Sequence, residues 1–193
     1  MSIHSRPTSR GMTLLELLIV VAIIGTLVAM SALVLPSALA SARADAGASQ
    51  ALAVLRTCRE QAVTDRRLVT VAFEDANRIA CRRREITAAG LPSGVLTLVG
   101  EALLAERMEF LRIPGLPDTP DAFAAGVVPV DFTGPAPWSF TSEGTLVDAN
   151  GDVVNGTVFL GREGEPLTTR AVTLFGATAL LREWQWNGTA WAE

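Results

Sequence analysis

Few residues in this chain are of a type that does chemistry, and the one most out of place is Glu16. It stands at the head of Leu17–Leu35, 19 residues with no charge, in which only Thr26 and Ser31 are polar. A charge inside a membrane-spanning helix costs about 2.5–3.5 kcal/mol on insertion scales, so a carboxylate there is a functional residue with a partner to be found. The other candidates are weaker. The only histidine is His4, which excludes Ser-His-Asp or Cys-His catalysis and histidine metal sites beyond the first few residues. Asp148-Ala149-Asn150-Gly151-Asp152 places oxygen ligands at alternate positions, as calcium prefers. An EF-hand glutamate is missing where Phe159 and Leu160 stand, and Asn-Gly between strands reads as a turn. Arg82-Arg83-Arg84 could engage phosphates, but Glu85 adjoins it and no aromatic residues interleave, so a solvated strand edge is the simpler expectation. No residue set suggests a cofactor, a metal or an enzyme.

Length and flanks decide what the apolar run is. Nineteen residues come close to the roughly 20 a helix needs to cross a bilayer. A secretory signal has a shorter apolar core and no use for an acid at its head, although Ala38–Ala42 could mimic a cleavage site. Arg6 and Arg10 precede the run, which places the N-terminus in the cytoplasm and the rest across the membrane.

The string Gly11-Met12-Thr13-Leu14-Leu15-Glu16-Leu17 resembles the class III signal of type IV pilins and type II secretion pseudopilins. The resemblance implies that a prepilin peptidase cuts after Gly11 and that the new N-terminal residue, Met12, is N-methylated. Glu16 then falls at the fifth mature position; Met12 stands where the family usually has Phe. Cutting creates an α-amine at Met12 close to the Glu16 carboxylate. In a low-dielectric helix bundle the two charges attract, and each offsets the other's desolvation. Glu16 either sets register by pairing with the amine of a neighbouring subunit or pairs with its own terminus.

The organisation follows. Residues 1–11 form the leader, 12–35 the transmembrane and assembly helix, 36–66 an amphipathic helix, and 67–193 a β-rich periplasmic domain. Pro36 kinks or restarts the helix. Ala48, Leu52, Leu55, Cys58 and Ala62 then lie on one helical face, so helix is expected over about 13–65. Val69, Val71 and Phe73 alternate with polar or small residues, Asp75-Ala76-Asn77 is a turn, and strands 68–74 and 78–84 read as a hairpin. Further strands are expected at 95–99, 107–113, 127–132, 145–148, 153–160, 170–175 and 179–187. Residues 114–120 and 134–137 read as loops. Trp184 and Trp186 share a strand face and pack, while Trp191 is expected to be exposed and to offer a partner contact. The fold class is α+β: a long N-terminal helix, transmembrane then amphipathic, packed on an antiparallel β-rich globular domain of pilin-like type.

All 16 basic residues are arginine, and the net charge is −4; losing Arg6 and Arg10 takes it to −6. An acidic chain does not advertise nucleic-acid binding. Cys58 and Cys81 fall in the exported part, where a disulfide is permitted; the alternative is two buried thiols. The layout is similar to H-type minor pseudopilins and the FimT-like group. That implies a subunit of the type II secretion pseudopilus, with other pseudopilins or pilins, prepilin peptidase and an inner-membrane assembly platform as partners. The alternative is a FimT-like minor type IV pilin for pilus priming or DNA uptake, in which Arg82, Arg83 and Arg84 would contact DNA.

Overall fold

A computed structural model describes residues 12–123 and 128–193, so the leader, Gly11 included, lies outside the described residues. The helix α1 runs Leu14–Asp65 with Pro36 inside it. The strands follow as β1 (Val69–Glu74), β2 (Arg78–Ile86), β3 (Pro92–Leu103), β4 (Val130–Phe132), β5 (Trp138–Phe140), β6 (Leu146–Val147), β7 (Gly156–Arg162), β8 (Glu165–Phe175), β9 (Leu180–Trp186) and β10 (Trp191–Ala192). The chain divides into two compact units, one up to Leu39 and one from Ala40 onward.

In the first unit the helix is apolar on every side. Leu14–Ala32 has a mean hydropathy of 2.5 with none of it buried, so it is long and apolar enough to cross a membrane.

The second unit is an α+β domain. The rest of α1 buries Ala44, Ala48, Ala51, Leu52, Val54, Leu55, Cys58 and Ala62. Small residues dominate this stripe, which lets the helix approach the strands closely. The helix stops just beyond Asp65: Arg66 turns left-handed at φ 52°, and the Arg67 amide reaches back to the Ala62 carbonyl at 3.1 Å, a Schellman-type ending.

Two antiparallel five-stranded sheets follow, in the orders β3-β2-β1-β5-β6 and β10-β9-β8-β7-β4. The expected β1–β2 hairpin is present, with Val71 opposite Cys81 and Glu74 opposite Arg78. Val69, Val71, Ile79 and Cys81 share one buried core with the helix stripe and with Val158, Leu160, Val172 and Leu174 of the other sheet. Gly176 is fitted to its place: its carbonyl accepts from the Leu146 amide at 2.9 Å, and a Cβ there would overlap the Val154 carbonyl.

Expectation and structure part in a few places. Residues 107–113 form no strand; a single bridge joins Glu109 to Gly161. Met108 and Phe110 turn into the core instead, so alternation there reports burial of a loop. β5 was hidden by the prolines before it, and β10 is only two residues long. Trp191 is not a free surface residue: its ring lies 5.5 Å from that of Trp186, and its Nε1 donates to the Pro117 carbonyl at 3.0 Å.

Candidate functional site

Glu16 sits in the first turn of α1, where a carboxylate suits the positive end of a helix. It accepts from the Thr13 amide at 3.0 Å and from the Thr13 hydroxyl at 3.1 Å, while its own amide donates to Thr13 Oγ1 at 3.2 Å. That is a capping box, with Thr13 as the cap and Glu16 three residues on. The Thr-x-x-Glu spacing was visible in the sequence, and its meaning was missed beside the stronger signal of an acid in an apolar run. The consequence is positional. The carboxylate is held against the Met12–Thr13 peptide, next to the atom that becomes the α-amine if the chain is cut after Gly11. Met12 and the residues that follow it on α1 are exposed, Met12 to 70% and Leu14 to 82%.

Cys58 on α1 and Cys81 on β2 are joined by a disulfide, with Cα atoms 5.3 Å apart. This ties the helix covalently to β2, the strand next to the edge of the first sheet.

The three arginines do not form a free basic patch. Arg82 pairs with Glu74 at 2.5 Å, and Arg83 pairs with Asp65 at 2.6 Å and Glu85 at 2.8 Å. The Asp65 and Glu85 carboxylates hold the Arg83 guanidinium further toward its charged form, and Arg83, then Thr97, hold Glu85 below the usual carboxylate range. Arg67 also pairs with Glu85. Arg84 makes no ion pair among the described residues and is half-buried. Alternation along β2 separates the run, placing Arg83 on one face and Arg82 and Arg84 on the other.

The residue the sequence reading missed altogether is Arg170, in the middle of β8. Its side chain is fully buried beside Asp45, which is 55% exposed. Nε donates to Asp45 Oδ1 at 2.8 Å, Nη2 to Ser41 Oγ at 3.1 Å, and Nη1 to the Leu167 and Thr169 carbonyls at 3.1 and 3.0 Å. Arg170 thus fastens α1 to the second sheet, as the disulfide fastens it to the first. Nearby, Glu183 is pushed up by burial and then by the Asp45 charge, with Arg170 pulling it back. The only hint in the sequence was a lone arginine among Thr and Val residues of a strongly patterned strand.

Asp148 organises its own loop. Its Oδ1 accepts from the amides of Asn150 at 2.8 Å and Asp152 at 3.0 Å, which closes an Asx turn around Gly151. Asp121 similarly collects Thr173 Oγ1 at 2.5 Å, Arg182 Nη1 at 2.7 Å and Trp184 Nε1 at 3.1 Å, pinning the 114–123 loop to the sheet.

Comparison with known proteins agrees with the N-terminal geometry. Residues 6–32 match the family described as the prokaryotic N-terminal methylation motif. No curated protein matches the chain significantly. The minor pseudopilin EpsH of the Type 2 Secretion System of Vibrio cholerae is similar, with 16% identity over 74% of this chain and 97% of that one, at a TM-score of 0.46. The type IV minor pilin FimU of Pseudomonas aeruginosa PAO1 is similar at 14% identity over 77% and 92% of the two chains, with a TM-score of 0.43. At these levels the two likenesses carry no argument about function. What the comparisons show is an N-terminal segment carrying the prokaryotic methylation motif.

Proposed function

We propose that this protein is a minor subunit of a pilus-like fibre: anchored in the membrane by the first part of α1, cut after Gly11, N-methylated at Met12, and assembled through its apolar helix. The observation that carries the reading is the conjunction of the methylation motif with a carboxylate clamped beside Met12 at the head of a span with none of its surface buried. A helix that is apolar all round belongs in lipid or among other helices. Other pilins or pseudopilins supply those helices, prepilin peptidase the cut, and an inner-membrane platform the assembly force. The domain from Ala40 onward sits in the periplasm, in the oxidising environment its disulfide suits.

Of the two systems that use such subunits, the type II secretion pseudopilus is the reading adopted. Two of the three arginines expected to contact DNA, Arg82 and Arg83, are already engaged by carboxylates, which weighs against the DNA-uptake role of a FimT-like minor pilin. Deleting the gene and scoring both secretion and piliation separates them. Lost exoprotein export with intact pili supports the proposal; intact export with lost piliation or DNA uptake supports the minor-pilin reading.

A further inference from the structure

Asparagine followed by glycine occurs three times, at Asn150-Gly151, Asn155-Gly156 and Asn187-Gly188. The pair carries a reaction of its own. The glycine amide nitrogen can attack the asparagine side-chain carbonyl and close a five-membered ring, because glycine has no Cβ to obstruct the approach. The reacting groups belong to adjacent residues, so no encounter is needed, and orientation and charge set the rate. Two local features then matter. The glycine amide must be free to lose its proton, and the side-chain oxygen, which takes up negative charge as the bond forms, must meet donors.

The three pairs differ on both counts. Gly156 is buried in β7, in register with Phe132 of β4 and Leu174 of β8, so its amide is shut inside the sheet. Asn155 Oδ1 meets one donor, the Gly176 amide at 2.9 Å. At Asn150 the nucleophile is occupied, because the Gly151 amide donates to the Asp148 carbonyl at 3.1 Å. The Asp148 carboxylate also accepts from Asn150 Nδ2 at 3.4 Å, and a negative charge so close opposes a second one forming on that side chain.

Asn187 lies in the exposed turn between β9 and β10. The Gly188 amide makes no hydrogen bond among the described residues. Three donors converge on Asn187 Oδ1: the Thr189 amide, the Thr189 hydroxyl and the Ala190 amide, each at 2.9 Å. That is the donor distance of an oxyanion hole. The turn is held from both ends, since the Asn187 amide donates to the Ala190 carbonyl at 3.1 Å and Trp191 pairs with Trp186 across the strands. The donors are therefore in place before any charge develops.

We propose that Asn187 is a site of self-catalysed deamidation. The Gly188 nitrogen loses its proton to solvent and bonds Asn187 Cγ. The Cγ–Nδ2 bond then breaks, and the nitrogen takes a proton from water and leaves as ammonia. A cyclic imide joins residues 187 and 188. Water opens it at either carbonyl, giving aspartate or its β-linked isomer. Aspartate keeps the main chain and offers the same three donors a full charge, which strengthens the turn. The β-linked isomer adds one atom to the main chain, which shifts β10 against β9 and draws Trp191 away from Trp186 and from the Pro117 carbonyl. The turn is thus a slow, one-way switch on the loop that Trp191 holds. The proposal goes beyond the fibre reading and does not require it.

The test incubates the full chain in detergent micelles at mildly alkaline pH and follows deamidation by mass spectrometry. Cleavage at arginine isolates Asn187 in the peptide Glu183–Glu193 and places Asn150 and Asn155 together in Ile113–Arg162, where fragment spectra separate them. One hydrogen bond to a developing charge is worth about tenfold in rate. Asn187 should therefore react at least about tenfold faster than Asn150, with Asn155 slowest. In urea with reductant the three rates should converge. Thr189→Val, which removes the hydroxyl and keeps the branched shape, should slow Asn187 about tenfold, while Thr189→Ser keeps the parent rate. Asn187 reacting no faster than Asn150 in the folded chain overturns the proposal, as does a lead that persists in urea. So does a Thr189→Val rate equal to or above the parent's, since the hydroxyl would then restrain the side chain instead of activating it.

Discussion

Breaking the Arg170–Asp45 contact from either side gives unequal costs, and the inequality follows from burial. Asp45→Ala leaves a fully buried guanidinium without its counter-ion. Removing one partner of a buried pair costs about 3–5 kcal/mol. The lower end applies here, because Ser41 and two carbonyls still hold the group and because losing the Asp45 charge lets Glu183 ionise more readily beside it. Arg170→Met leaves Asp45 half in water, where it remains solvated, as does the part-exposed Ser41 hydroxyl, and gives up the hydrogen bonds to the Leu167 and Thr169 carbonyls without replacement. At about 0.5–1.5 kcal/mol for each lost bond, that variant costs roughly 1–3 kcal/mol, part of it recovered by the apolar replacement. Thermal unfolding followed by tryptophan fluorescence should show Asp45→Ala melting about 6–12 °C below the parent, at about 2–4 °C per kcal/mol for a domain of this size. Arg170→Met should melt between the two. If Arg170→Met proves the more damaging, or if both melt with the parent, Arg170 is not the fastening between helix and second sheet.

Other outcomes can be stated briefly. Replacing Cys58 and Cys81 with serine opens a loop whose ends are 23 residues apart in sequence and should cost about 3 kcal/mol on the chain-entropy account, read as a lower urea midpoint that reducing agent reproduces in the parent. Glu183 is raised in the folded chain, so folding binds a proton there and stability falls as pH rises from the ordinary carboxylate value through the raised one. Glu183→Gln should therefore stabilise at pH 7 and be neutral at pH 3. Glu85 is lowered, chiefly by Arg83, so Glu85→Gln should do the opposite, destabilising at pH 7 and losing its effect as the pH falls through the carboxylate range. With Arg82 and Arg83 already paired, the protein should give no salt-sensitive shift of duplex DNA at low ionic strength. A shift abolished by alanine at Arg82–Arg84 would contradict that.

Much of this architecture could be read before any coordinates because its strongest signals are periodic. The stripe through Ala48, Leu52, Leu55, Cys58 and Ala62 is the buried face of α1, and the alternation of Val69, Val71 and Phe73 is β1. What escaped were features set by tertiary contact. Arg170 sits in a strand whose pattern demands an apolar residue; only the arrival of Asp45 and Ser41, more than a hundred residues earlier, explains it. The 107–113 segment alternates like a strand, yet it spends its apolar residues on the core as a loop. At the N-terminus, Glu16 is legible in the sequence through the cost of a charge in a membrane span, while the local reason for its position, the hydrogen bonds to Thr13, belongs to the folded helix end.

Mass spectrometry of the N-terminus of the protein purified from membranes bears most directly on the fibre-subunit reading. A first residue of Met12 carrying one added methyl group is the predicted result, since Glu16 is placed to meet the amine that this cut creates. Mature protein that still begins ahead of Gly11, or that begins downstream of Ala40, would contradict it, because no cation would then lie beside that carboxylate.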